Sequence, residues 1–194
     1  YDFRIMDSPN EMFALVEQQN RTNDRSRVVA GYCWEWIKSG ARNKDVHDIK
    51  IAGFDFEKSW NIPTKTWAID KGSINEIGCI HTCQGLEFDY VGVIIGDDLR
   101  YEDGKIVCDA AKRANTDKSL RGLKKLQKEN PERALLEATQ IIKNTYRVLM
   151  SRGMKGCYVY CTDKALSEYL KMRLQRCERN HLYVRDIDTM IEFA

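Results

Sequence analysis

Residues 77–99 read IGCIHTCQGLEFDYVGVIIGDDL, and this stretch decides the fold. A short apolar run (77–80) leads into a polar, tight-turning segment (81–89). A continuous apolar run (90–95) follows and ends in Gly96, Asp97 and Asp98. Apolar residues at nearly every position, rather than at alternate ones, suit a strand covered on both faces, as in a parallel sheet. Val91, Val93, Ile94 and Ile95 are β-branched, and Gly78, Gly85, Gly92 and Gly96 are poor helix formers, so a buried helix is the weaker reading. The stretch is read as strand, functional loop, buried strand.

The flanking sequence extends that pattern. Residues 2–7 (DFRIMD) form a strand candidate, and Ser8-Pro9-Asn10-Glu11 reads as a helix start, with Ser8 as N-cap and Glu11 completing a capping box. The stripe Met12, Leu15 and Val16 fades across the polar residues 18–26, and residues 27–32 (RVVAGY) are a second strand. Strand, helix, strand at this spacing is a βαβ unit, so parallel pairing is expected. Further on, Pro131 opens a long helix striped by Leu135, Ala138, Ile142, Thr145 and Leu149. It ends near Ser151-Arg152-Gly153, where glycine suits a C-terminal cap. Residues 156–162 (GCYVYCT) are another buried strand, and Asp163 caps a last helix striped by Leu166, Tyr169, Leu170 and Leu174. The tail, 177–194, is ambiguous, a strand and then a short helix being one reading.

Two regions break the alternation. Residues 38–73 read as an irregular insertion with short strands at 48–52 and 67–69. Trp34, Trp36, Trp60 and Trp67 invite a base-stacking role, though core packing accounts for buried aromatics more simply. Residues 100–109 read as a hairpin turning at Asp103-Gly104. Next, residues 112–128 hold Lys112, Arg113, Lys118, Arg121, Lys124, Lys125 and Lys128 against the single acid Asp117, with helical spacing from 117 onward. That run is either a solvated helix face or a phosphate-contacting surface.

A chain of 194 residues is most simply one domain, and 43% apolar with 31% charged residues is ordinary for a globular protein. A net charge of +2 says little about partners. No apolar run approaches a membrane span, so no membrane partner is expected. The seven cysteines (Cys33, Cys79, Cys83, Cys108, Cys157, Cys161 and Cys177) are odd in number and several sit in apolar runs, which suits buried free thiols and a cytoplasmic location. The chain opens without Met, so it is read as a piece of something longer.

No GxxxxGK[ST], GxSxG, HExxH or CxxC occurs, and His47, His81 and His181 are scattered. The equally spaced pairs Cys79/Cys83 and Cys157/Cys161 raise zinc, but neither spacing nor flanks fit a usual site, and no metal site is expected. What remains is the loop 81–89 and the basic corner 144–155 (NTYRVLMSRGMK). Ligands of parallel sheets gather where loops leave the strands. Arg147, Arg152 and Lys155 suit an anion such as phosphate. They suit equally well internal ion pairs of Arg147 and Arg152 with Glu87, Asp89 or Asp97.

These two segments resemble the second RecA-like domain of superfamily 1 helicases, and most closely the Schlafen group-three-like DNA/RNA helicase family. Residues 79–88, CIHTCQGLEF, are similar to helicase motif V, and residues 147–152, RVLMSR, to motif VI; SRVVAGYCWEW fits the closer family. The resemblance covers most of the chain. It implies an α/β, RecA-like P-loop NTPase fold with a mostly parallel central sheet flanked by helices, one domain over 1–194, and insertions at about 38–73 and 100–130. It also implies the C-terminal motor half of an ATP-dependent helicase or translocase, with Arg152 as the arginine finger on the γ-phosphate. Gln84, Gly85, Glu87 and Lys155 would line the nucleotide side, and His81 would face single-stranded DNA or RNA. Thr82, and Lys124 and Lys125 of the basic run, are further candidates for nucleic-acid contact. ATP and Mg2+ would bind in the complete protein and not stably to this chain alone, because Walker A and B would sit on an upstream RecA-like domain, the chain's implied partner. Cys79 departs from the motif V threonine and Arg147 from the motif VI tyrosine, and no motif IV arginine stands near Tyr1. The alternative is a nucleic-acid-binding or nucleotide-sensing module on the same scaffold, without catalysis of its own.

Overall fold

The computed structural model describes residues 1–37, 46–61, 66–70 and 72–179. Nine strands occur among them: β1 (Asp2–Met6), β2 (Ser26–Ala30), β3 (Ile49–Ile51), β4 (Phe56–Trp60), β5 (Glu76–Ile77), β6 (Phe88–Ile95), β7 (Leu99–Glu102), β8 (Lys105–Cys108) and β9 (Gly153–Cys161). The α-helices are α1 (Pro9–Asn23), α2 (Leu123–Glu129), α3 (Pro131–Met150) and α4 (Lys164–Arg179).

The central sheet is parallel throughout, in the order β1-β9-β6-β2. A bridge from Val29 to Gly78 sets the start of the polar loop beside β2, with Ala30 N–H donating to Gly78 O and Gly78 N–H to Val28 O, both at 2.9 Å. Through it the sheet continues into β5, β4 and the antiparallel edge strand β3.

β6 lies inside this sheet, and all its residues but Tyr90 are buried. Val91, Val93 and Ile95 share one core with Ile142, Tyr146 and Leu149 of α3 and Leu166 and Leu170 of α4. Ile94, with Val28 and Ala30, belongs to a second core shared with Met12, Phe13 and Val16 of α1. Cover on both sides is the physical reason the run is apolar at every position. The protein is thus mixed α/β, with a mostly parallel central sheet flanked by helices.

Local signals hold at most ends. Ser8 Oγ accepts from Glu11 N–H at 3.3 Å, Asn130 Oδ1 from Arg133 N–H at 3.1 Å, and Asp163 Oδ1 from Leu166 N–H at 2.7 Å. Asp103 and Gly104 both take positive φ, 49° and 80°, the geometry of a two-residue hairpin turn between β7 and β8.

Tertiary context overrode local reading elsewhere. β1 and β2 are parallel but not paired, because β9 and β6 lie between them and α1 crosses the gap. Residues 67–69 form a turn instead of a strand, since Arg27, fully buried, takes the Ala68 carbonyl at 2.8 Å and Ser73 Oγ at 2.9 Å. Among the described residues the strands between 38 and 73 are β3, within the expected 48–52, and β4, whose Phe56 and Trp60 are buried. Trp60 packs between Tyr32 and Trp36 with both rings stacked on it, and Trp67 is 2% exposed, so the tryptophans are packing residues. α3 ends at Ser151 in right-handed geometry, without a glycine cap. Gly153 instead opens β9, where a Cβ would lie 2.1 Å from the Gly156 carbonyl oxygen. Leu135 is 63% exposed and leaves the α3 stripe, which runs through Ala134, Ala138, Ile142, Thr145, Tyr146 and Leu149. The basic run is helical in 3-10 turns (Ala110–Lys112 at its start and Lys118–Leu120) and in α2. Of the 38–73 region, residues 38–45, 62–65 and 71 lie outside the described residues, as do His181 and most of the ambiguous tail, whose first residues belong to α4.

Candidate functional site

The polar loop begins where β5 stops. Cys79 N–H donates to Thr82 Oγ1 at 2.9 Å and Thr82 Oγ1 donates back to Cys79 O at 3.0 Å, so Thr82 closes a tight turn with its own hydroxyl. Cys83 N–H to Cys79 O and Leu86 N–H to Cys83 O complete the coil. This leaves His81, Gln84, Gly85 and Glu87 exposed, with Gly85 at φ 77°. The loop re-enters the sheet at Phe88.

Arg152 meets it there. Phe88 N–H donates to Arg152 O at 2.8 Å, Arg152 Nη1 to Leu86 O at 3.4 Å, and Arg152 Nε to Val148 O at 3.0 Å. A half-buried guanidinium is thereby fixed between the end of α3 and the end of the loop, at the amino ends of β6 and β9. A guanidinium has more N–H donors than these two carbonyls use, in a fork that matches an anion's oxygens. Burial pushes the neighbouring Cys83 thiol up to about 12, so it stays a neutral wall of this corner.

Lys155 sits two residues into β9, where its Nζ reaches Asp89 Oδ2 at 2.7 Å; Asn23 Nδ2 donates to the same oxygen and Arg25 approaches Oδ1 at 3.8 Å. Asp89, which the ion-pair reading had offered to Arg147 or Arg152, is held by Lys155 and Arg25. The Lys155 hydrogen bond draws the Asp89 carboxyl below its usual value. A depressed folded value stabilises the chain above the unfolded carboxylate range and loses that stability as pH falls through the folded value. Asp89→Asn is expected to lower stability most at neutral pH, where the paired carboxylate contributes fully, and least at pH below its folded value, so that the acid limb of a denaturation-versus-pH curve flattens.

On the other side of the loop, His81 faces the edge of Tyr32, with ring centroids 6.0 Å apart, and its Nε2 lies 3.6 Å from Asp117 Oδ1. Asp117 opens a cluster that the sequence reading did not place. Arg113 Nε lies 2.7 Å from Asp117 Oδ2, and Arg113 Nη1 lies 3.5 Å from Asp98 Oδ2 and 3.3 Å from Thr145 Oγ1. Tyr146 donates its hydroxyl proton to Asp98 Oδ1 and accepts from Gly96 N–H at 3.0 Å. The side chains of Arg113, Asp98 and Asp117 are all fully buried. Desolvation raises the Asp98 carboxyl, with Arg113 pulling against it, and burial lifts the Tyr146 hydroxyl well above its usual value. A signal did exist: the one acid in the basic run stands four residues after an arginine. Lys124 and Lys125 lie on α2, exposed, beyond this anchor.

All seven cysteines are free thiols. Among the described residues no group of three His, Cys, Asp or Glu gathers as metal ligands would, and no helix is long and apolar enough to cross a membrane.

Comparison with known proteins gives the corner a context. A 174-residue stretch is 28% identical to an uncharacterized protein of Saccharomyces cerevisiae, covering 88% of this chain and 36% of that relative's length. No solved structure matches the chain. The family described as Schlafen group 3, DNA/RNA helicase domain, matches residues 1–163, which hold both the 79–88 loop and Arg152. With most of its length matched, the chain belongs to that family, a helicase-like family of nucleic-acid enzymes.

Proposed function

We propose that the chain is the C-terminal motor half of an ATP-dependent DNA or RNA helicase or translocase, folded as one RecA-like domain of the superfamily 1 type with insertions near 38–73 and 100–130. The observation that carries this reading is the Phe88–Arg152–Leu86 clasp, which brings the motif V and motif VI look-alikes into one corner although 66 residues separate Leu86 from Arg152. In this reading Arg152 is the arginine finger, and Gln84, Gly85 and Glu87 line the nucleotide side of a cleft whose other wall is an upstream RecA-like domain. That domain would bring the phosphate loop and the Mg2+ ligands for ATP. Lys155 then acts through Asp89, bracing the start of β6 beside the finger. His81 is the contact to a single strand, with Thr82 shaping the turn that presents it. A reducing, cytoplasmic setting suits the seven thiols.

The arrangement supplies charge for phosphoryl transfer but no nucleophile positioning of its own. The isolated chain is therefore expected to show no ATP hydrolysis above background in a steady-state assay. Turnover by the pure chain that survives Arg152→Ala would end this reading.

A further inference from the structure

A second surface stands apart from the Arg152 corner. Residues 118–128, KSLRGLKKLQK, hold five cations and no acid, with Leu120, Leu123 and Leu126 spaced by three. Neither the 3-10 turn Lys118–Leu120 nor α2 buries a single residue, and the three leucines are only partly covered. Facing them, the first turns of α3 present Leu135, 63% exposed, although the later turns of that helix hide their apolar residues well. Between the two walls lies an open cavity of about 720 Å³, lined by Leu120, Leu123 and Leu135 and flanked by Lys118, Arg121 and Lys124. Asp109 and Asp117 also line it, but Asp109 accepts from Ala111 N–H at 2.9 Å and meets Arg100, while Asp117 is held by Arg113 and caps Ser119. The rim is thus cationic and the lining mainly apolar, with Asn115, Thr116 and Gln127 among its polar members. The buried Arg113–Asp117 pair sets the start of this wall against the body of the domain, so the groove exists before anything enters it.

We infer that this groove is a docking site for an acidic amphipathic helix of a protein partner. Apolar side chains at i, i+3, i+4 and i+7 would fill the space between Leu123 and Leu135, and flanking carboxylates would meet Lys118, Arg121 and Lys124. Single-stranded nucleic acid fits less well, since sites of that kind combine cations with stacking aromatics and none lines this cavity. An anionic bilayer fits less well too, because the leucines face into a concavity and not out of a flat face. The exposed Lys125–Glu129 pair, 3.7 Å apart, is too solvated to cancel the rim charge. The inference stands whether or not the chain is part of a motor.

Fluorescence anisotropy with the 194-residue chain tests it. The probe is a labelled synthetic helix with leucine at i, i+3, i+4 and i+7 and glutamate at the remaining positions. Its counterpart carries lysine in place of glutamate, and single-stranded DNA and RNA oligonucleotides and phosphatidylserine vesicles are the other arms. Saturable binding of the acidic helix alone is expected, weakened about tenfold or more by Leu123→Glu with Leu135→Glu, the loss of two anchors. Arg121→Glu with Lys124→Glu, both at exposed positions, should reverse the preference toward the lysine peptide, a result that does not depend on the leucine variant folding. The inference is overturned if the acidic helix fails to bind. It is equally overturned if binding ignores the leucine and charge changes in folded variants, or if oligonucleotide or vesicles bind more tightly and displace the helix.

Discussion

Arg113→Met is expected to destabilise the chain by about 3–5 kcal/mol, a large share of what holds a domain of this size together. The reason lies in what the substitution leaves behind. Arg113 faces Asp117 at 2.7 Å and Asp98 at 3.5 Å, and all three side chains are fully removed from solvent. Methionine matches much of the volume, so little cavity forms, but two buried carboxyl groups lose their counter-charge. The pH dependence identifies the cause. Asp98 is already raised by burial, and without Arg113 it rises further. A raised folded carboxyl binds its proton more tightly than the unfolded one, so stability falls as pH increases from the unfolded carboxylate range through the folded value. Urea denaturation at two pH values should find the variant closest to wild type under mildly acidic conditions. Adding Asp98→Asn and Asp117→Asn should recover part of the loss, and a deficit independent of pH would point to packing alone.

In the complete protein, Arg152→Ala is expected to lower kcat for ATP by roughly three to five powers of ten under the motor reading, the range for loss of an arginine finger. KM for ATP should change far less, because the group acts on charge that develops during transfer. Arg152→Lys keeps the charge but not the fork, and should recover only a small part. The clasp adds a structural cost: Arg152 Nη1 and Nε hold Leu86 O and Val148 O, so alanine frees the loop's exit as well as removing a cation. Thermal denaturation separates the two effects. If both variants lose nearly all turnover while their melting temperatures stay close to that of the wild type, the guanidinium is acting on the nucleotide. Equal losses of turnover and stability would reduce it to a strut.

The legible parts of the fold were those whose cause is local. β6 and β9 announce themselves by unbroken apolar runs, and Ser8, Asp163 and the Asp103-Gly104 turn by single-residue chemistry. The first apolar run, 77–80, is strand only as far as Ile77: Gly78 makes a lone bridge to Val29, and Cys79 already turns with the Thr82 hydroxyl. The 67–69 turn escaped because its determinant, Arg27, sits at the start of an apolar strand 41 positions before Ala68. The loop and Arg152 were readable as residue types, but their contact was not, and neither was Lys155 settling on Asp89. Charged residues in sequence do not say which opposite charge they will meet; packing decides.

The join at Gly78 has a mechanical meaning. A pair of 2.9 Å hydrogen bonds ties the four-stranded parallel body to β5 and, through it, to β4 and β3. The backbone seam is narrow, but a shared core backs it: Phe56 and Trp60 of β4 pack with Phe13 of α1 and Val28 and Ala30 of β2. Gly78, at the seam, is also the residue from which the 79–88 loop departs. A displacement of the outer strands would therefore be passed to α1 through side chains and to the root of that loop through backbone.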